Sequence, residues 1–398
     1  MRFSDRLLHL LSFCICLGIF LQYRLLDDDA SPGTLEGGHG KHHTNKLTVL
    51  VDSRDSKSSQ NLALAKNIPV SSKHTFSLFH TCNVQNRTVR VPKAPHFIIA
   101  GAQKSGTTAL YEFLRQHPKM QASNKSEVHF FDWYYPQRVD KNKWLEDRNV
   151  SKSISDQEYQ CAIQEAYGQE FEPVLDESVI TFEKTPAYLF LTRVPKLILD
   201  TCPWKPKIIV ILRNPADRAF SQYNMGIRVN GKSFEELIDN EIENMRSIGL
   251  NHAPPRNSSY KDHDRRFRIP KMSKEKSDRV NWSHYRKMFA NNYLQRSMYI
   301  TQIENWALYF PLGESLLVVN YERFISHPQD VYNEILSFVG APPFTPPGGF
   351  GERYNYNANA PEQDPLQDSS RQYLKNYFRP YNNRLADLLG EEWRNVWE

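Results

Sequence analysis

The stretch FIIAGAQKSGTTALYEFL, residues 97–114, decides the fold. Its first five residues form a short apolar run ending at a glycine, which reads as a buried strand. Across 106–117, Leu110, Phe113 and Leu114 recur on one side, which reads as an amphipathic helix. Gly101 and Gly106 bound the loop between them. Strand, glycine-bounded loop and helix N-terminus together present free backbone N–H groups and a positive dipole end, the physical makings of an anion site. A nucleoside triphosphate loop of this kind is GxxxxGK[ST], with lysine directly after the second glycine. Here the glycine spacing is right, but Thr107 and Thr108 follow Gly106 and the lysine, Lys104, sits inside the loop. No carboxylate context for a magnesium ion accompanies it. A kinase or NTPase is therefore the weaker reading, and the question becomes which other phosphate-bearing molecule wants a lysine at mid-loop.

Two more apolar runs extend the pattern. PKIIVILRNP (206–215) reads as a buried strand whose end starts a helix, with Asn214 as N-cap and Pro215 at the first helical position. ESLLVVNYERF (314–324) reads as a third strand, and PQDVYNEILSFVG (328–340) as an amphipathic helix closed by Gly340. Continuous apolar strands alternating with helices argue for an α/β fold, a parallel sheet flanked by helices on both faces.

The loop resembles that of the sulfotransferases that use 3′-phosphoadenosine 5′-phosphosulfate (PAPS), and the resemblance implies a P-loop-like sulfotransferase fold with PAPS as co-substrate and no metal. It implies that the backbone of Lys104, Ser105, Gly106, Thr107 and Thr108 holds the 5′-phosphosulfate, with Lys104 neutralising the leaving phosphate oxygen. In that family the 3′-phosphate is held by an arginine at the end of a later strand and a serine about two turns into the next helix. ILRNPADRAFSQY supplies Arg213 and Ser221 at that spacing. A guanidinium is permanently charged and fork-shaped, which suits a phosphate. Arg218, in the same helix, reads as an ordinary exposed residue.

KSEVHFFDWYYP (125–136) is similar to the heparan sulfate glucosamine 3-O-sulfotransferases. The likeness implies that Glu127 is the catalytic base and that His129 and Asp132 support it or contact the sugar. A base is chemically reasonable, because an alcohol is a poor nucleophile until its proton is taken. EKTPAYLF (183–190) resembles that family's E-K-[ST]-P-x-Y segment, which puts Lys184 at the transferring sulfonate or the anionic acceptor. The likeness extends to NYERF and the final helix, and covers residues 91–398. Two departures bear on the acceptor. The family's disulfide-bearing loop before the last helix and its K-G-R-type contact are absent from 348–374. An insertion at 254–287 carries eleven Lys/Arg against four Asp/Glu, net +7. It either grips a polyanion through charge density or is a solvated loop.

The whole chain has 398 residues, 40% hydrophobic and 12% aromatic, enough to bury a core and to exclude wholesale disorder. Its formal charge of +5 fits an anionic partner, here an acidic polysaccharide rather than nucleic acid. Arg2 and Arg6 precede the apolar run LLHLLSFCICLGIFLQY (7–23), which reads as an uncleaved signal anchor rather than a cleaved signal peptide. The expected organisation is a cytosolic tail at 1–6, a transmembrane anchor at 7–23, a polar stem at 24–91 and a lumenal domain at 92–398. That is a single-pass type II Golgi membrane protein. N-x-[ST] sequons at Asn86, Asn124, Asn149, Asn257 and Asn281 agree with a lumenal body. With Cys14 and Cys16 in the apolar run, one disulfide is expected among the other three cysteines, as Cys161–Cys202 with Cys82 free or intermolecular. Acceptors of other classes remain open at this stage: another carbohydrate, protein tyrosine, or a polyanion that is bound without turnover.

Overall fold

The computed structural model describes residues 78–84, 87–132, 155–174, 176–225, 231–247, 292–351 and 365–398. The expected anchor at 7–23, the basic insertion and four of the five sequons lie outside them. Among the described residues no helix is long and apolar enough to cross a membrane.

A hairpin comes first, β1 (Phe79–Val84) against β2 (Arg87–Pro92). The main sheet and its helices follow: β3 (Phe97–Gly101), α1 (Thr107–Arg115), β4 (Met120–Ala122), α2 (Asp156–Gly168), β5 (Ile180–Lys184), α3 (Val194–Thr201), β6 (Lys207–Leu212) and α4 (Pro215–Tyr223). After them come α5 (Phe234–Ser247), α6 (Tyr299–Ala307), β7 (Leu316–Asn320), α7 (Tyr321–Ser326), α8 (Pro328–Val339) and α9 (Asp368–Leu389). The five main strands run parallel in the order β4-β5-β3-β6-β7.

Pleating explains why the apolar runs are unbroken. Phe97 and Ile99 point to one face, with Leu110, Leu114 and Tyr332 of α1 and α8. Ile98 and Ala100 point to the other, with residues of α2, α6 and α9. Both faces are covered, so every residue of β3 is buried. Along β6, Ile209 and Ile211 join the first layer, and Ile208, Val210 and Leu212 the second.

This strand order fixes where a crevice opens. From β3 the chain leaves toward β4 on one side of the sheet, and from β6 toward β7 on the other. The loops after these two adjacent strands therefore diverge, opening a crevice at the carboxyl edge. The sequence puts GAQKSG after β3 and RNP after β6.

Three expectations about the fold need correction. Folded chain precedes the expected boundary at 91, because the β1–β2 hairpin packs on α2 and is tied to it by a disulfide. That disulfide is Cys82–Cys161, not Cys161–Cys202; the Cα atoms of Cys82 and Cys161 are 5.8 Å apart, and Cys202 is a buried free thiol at the end of α3. Third, the run 314–324 is strand only as far as Asn320. The Asn320 side chain accepts from the Arg323 N–H at 2.7 Å and caps α7, so NYERF turns into helix. Peptide mapping without reduction is expected to recover a Cys82–Cys161 cross-linked pair and a Cys202 that alkylates only after denaturation. A Cys161–Cys202 peptide would overturn this pairing.

Candidate active site

The loop after β3 is shaped by two residues in the left-handed region, Lys104 (φ 71°) and Gly106 (φ 82°). Glycine adopts this conformation freely, whereas a lysine there is uncommon. Gly106 is required for a second reason. A Cβ at this position would lie 2.8 Å from Cε2 of Tyr321, whose ring in turn carries the Arg213 guanidinium at 5.0 Å. Gly106 is also the N-cap of α1, so the first N–H groups of that helix, at Thr107 and Thr108, have no partner within it.

Arg213 follows β6. Its Nη1 donates to the Lys104 carbonyl at 3.3 Å, joining the two diverging loops, and Tyr299 donates its hydroxyl to the Arg213 carbonyl at 2.8 Å. Asn214 caps α4 through bonds from Ala216 N and Asp217 N. This sets the helix so that Ser221 faces the same crevice as Arg213. Burial, together with the nearby Arg213 and Arg218 charges, holds the Lys104 ammonium below its ordinary pKa.

The third wall is the loop at 127–132, laid across the end of β5. Lys184 is only 3% exposed; its Nζ lies 3.0 Å from Glu127 Oε1 and 3.3 Å from Thr108 Oγ1, over the Tyr111 ring. The other oxygen of Glu127, Oε2, is 3.2 Å from His129 Nε2, and His129 Nδ1 bonds the buried Asp132 carboxylate. Both carboxylate oxygens are thus pinned by cations. Burial on its own would raise the Glu127 pKa, but the His129 bond and the Lys184 charge outweigh it and leave it below the usual value. Hydrogen bonds to Asp132 and Glu127 push His129 up to about 9, so it is cationic at neutral pH. An ionised carboxylate offers about four lone-pair sites, so these two contacts still leave Glu127 able to accept a further hydrogen bond.

Lys104, Gly106, Thr107, Thr108, Glu127, Arg213 and Ser221 all line one cleft of about 700 Å³. That is the size of a site for a nucleotide-sized ligand. His129, Asp132 and Lys184 stand behind Glu127 rather than on the lining. Ser105 differs from expectation: its side chain is fully buried and its N–H is spent on the Ala102 carbonyl at 3.2 Å. Arg218 is also corrected. It is buried, donating to Ser297 Oγ (2.6 Å), the Tyr293 carbonyl (2.5 Å) and Gln222 Oε1 (2.9 Å). A guanidinium with such partners is a structural post under the loop after β3. The sequence reading missed the apolar half of the cleft, made by Phe113, Met225, Phe324, Ile325 and Phe350 with Tyr321. Its mark is the exposure of Met225 and Ile325, which is visible only in the structure.

Residues 94–348 match the sulfotransferase domain family. The chain belongs to that family. Among curated relatives, the membrane-associated sulfotransferase kil1 of Dictyostelium discoideum is 26% identical over 352 residues, covering 76% of this chain and 67% of that protein. Mouse heparan sulfate glucosamine 3-O-sulfotransferase 3A1 is 26% identical over 319 residues, covering 75% and 63%. The mouse bifunctional heparan sulfate N-deacetylase/N-sulfotransferase 4 is 27% identical over 315 residues, covering 74% of this chain and 30% of its own length. The chain thus spans about two thirds of the first two of these relatives and less than a third of the last. A solved sulfotransferase from Alicyclobacillus acidocaldarius aligns with 24% identity and a TM-score of 0.49, over 76% of this chain and 99% of that one.

Proposed function

We propose that this protein transfers a sulfonate group from PAPS to a hydroxyl, or an amine, of a glycosaminoglycan-like polysaccharide, in the manner of a heparan sulfate glucosamine 3-O-sulfotransferase. The observation that carries the reading is the convergence of Glu127 on the cleft that also holds Lys104, the start of α1, Arg213 and Ser221. The residues fit the donor: two separated cationic and N–H-rich positions for its two phosphate ends, and an apolar half with Tyr321 and Phe350 for a flat base. When bound, PAPS supplies an electrophilic SO3 group on a phosphate leaving group.

The chain's own residues do the rest. The N–H groups at the start of α1, with Lys104, hold the 5′ end and meet the charge that builds on the leaving oxygen. Arg213 and Ser221 hold the 3′-phosphate. Glu127 takes the acceptor proton as the new S–O bond forms and the old one breaks, releasing adenosine 3′,5′-bisphosphate. Lys184 lies within reach of both Glu127 and Thr108, so it sits between the base and the sulfonate site. As its ammonium turns toward the transferring group, its pull on Glu127 falls and the carboxylate becomes a stronger base. His129, cationic and backed by Asp132, keeps Glu127 aimed.

The relatives that act on heparan sulfate favour a polysaccharide acceptor, and the apolar run at 7–23 favours a type II Golgi membrane protein. Labelled PAPS offered with heparan sulfate, chondroitin sulfate and a tyrosine peptide is expected to label heparan sulfate. Label on the tyrosine peptide alone would replace the polysaccharide reading. Retention on heparin with no transfer to any acceptor would make the protein a polyanion binder. Tight ATP–magnesium binding without affinity for adenosine 3′,5′-bisphosphate would make it a nucleoside triphosphate enzyme.

A further inference from the structure

The segment EKTPAY (183–188) does more than supply Lys184. Strand alternation sends Lys184 to the α1 face of the sheet, toward Thr108 and Tyr111, and sends Glu183 and Thr185 to the opposite face. The Glu127 loop crosses the strand end between them. On this second face the Thr185 hydroxyl accepts from two successive backbone groups of that loop, Val128 N at 3.1 Å and His129 N at 3.3 Å. The Tyr188 hydroxyl accepts from the next two, Phe130 N at 2.8 Å and Phe131 N at 3.3 Å. Four consecutive N–H groups are thus gripped by two hydroxyls of one short segment. Between them they hold His129 in the left-handed conformation (φ 54°), which is uncommon for a residue other than glycine.

A hydroxyl has one proton and two lone pairs. With both lone pairs of Thr185 taken by the loop, its proton must go elsewhere, and Glu183 Oε2 receives it at 2.9 Å. Glu183 is wholly buried, and its other oxygen accepts the Tyr167 hydroxyl. A carboxyl group in a fully buried aromatic surround is costly to keep, and burial pushes its pKa up to about 7. An apolar residue there would pack at lower cost but would leave the Thr185 proton free to turn toward the loop N–H groups and repel them.

We propose that Thr185, oriented by Glu183, is a positioning residue that sets the Glu127–His129 loop over the end of β5 so that Glu127 reaches the acceptor. The proposal rests on the reading of Glu127 as the base. Thr185→Val keeps the shape and removes the acceptor; Thr185→Ser keeps the hydroxyl. Thr185→Val is expected to lower kcat by about 10- to 100-fold, the scale of a displacement of about 1 Å in a reacting group. Its Kd for adenosine 3′,5′-bisphosphate should stay within about twofold, and Thr185→Ser should recover most of the rate. NMR titration of the His129 ring gives a readout that a merely structural role would not move: its midpoint should fall from about 9 toward the ordinary value near 6.5 in Thr185→Val. Glu183→Leu, which leaves the hydroxyl but frees its proton, should move both readouts the same way and serves if Thr185→Val does not fold. An unchanged kcat and an unchanged His129 midpoint in either folded variant would overturn the proposal, as would a loss of donor affinity equal to the loss of rate. If the wild-type protein transfers to no acceptor, the reading of Glu127 fails instead, while the His129 midpoint still tests the clamp.

Discussion

Glu127→Gln is expected to lower the rate of sulfonate transfer by about 10²- to 10⁴-fold, the usual worth of a positioned general base. The same variant should bind adenosine 3′,5′-bisphosphate as the wild type does. The amide is isosteric with the carboxylate and retains an oxygen for Lys184, 3.0 Å away from Glu127 Oε1. What it lacks is basicity and the charge that, second to Asp132, helps hold His129 above its ordinary pKa. Single-turnover transfer, measured beside equilibrium binding of the bisphosphate, separates the two properties. Donor binding lost together with turnover would assign Glu127 to the donor pocket or to folding, and an undiminished rate would remove it from the chemistry.

The second large effect is expected at Lys104. Lys104→Ala should lower kcat/KM by about 10²- to 10³-fold, the scale seen when one preorganised donor to a developing negative charge is removed. The residue is held in a left-handed turn between Gly101 and Gly106, with its carbonyl bonded to Arg213. Burial and the neighbouring Arg213 and Arg218 make its charge costly in the free protein. A cation crowded against two guanidinium groups gains most when an anion enters, so its contribution should appear in donor turnover rather than in thermal stability. Measuring both on the variant checks this. A variant that melts far below the wild type but turns over at a normal rate when folded would make Lys104 a structural residue.

Much of this arrangement is legible in the sequence, and the reasons are local. Strands β3 and β6 declare themselves as apolar runs because both sheet faces are covered, and α8 ends where Gly340 takes up a left-handed cap. Glu127 and Lys184 stand out through their neighbours in short motifs, and the structure brings them to 3.0 Å although 57 residues separate them. What the sequence hides depends on distant partners. Arg218 looks like any polar helix residue until Tyr293 and Ser297, more than 70 residues later, close over it. Spacing alone cannot decide which two of three cysteines pair, and here the partner of Cys161 lies on a hairpin that alternates too weakly to be read as strand. Asn320 is unremarkable in an apolar run, yet its side chain stops β7 and starts α7, placing Tyr321 beneath Arg213. Ser105 falls within a recognised loop, but only the turn geometry shows its N–H directed inward.

The most direct measurement is a crystal structure of the protein with adenosine 3′,5′-bisphosphate. The account expects the 5′-phosphate on the N–H groups at Gly106–Thr108 beside Lys104, the 3′-phosphate on Arg213 and Ser221, and the Glu127 carboxylate facing the open side of the 5′-phosphate. A bisphosphate bound elsewhere, or one in this cleft with Glu127 turned away from it, would contradict the account.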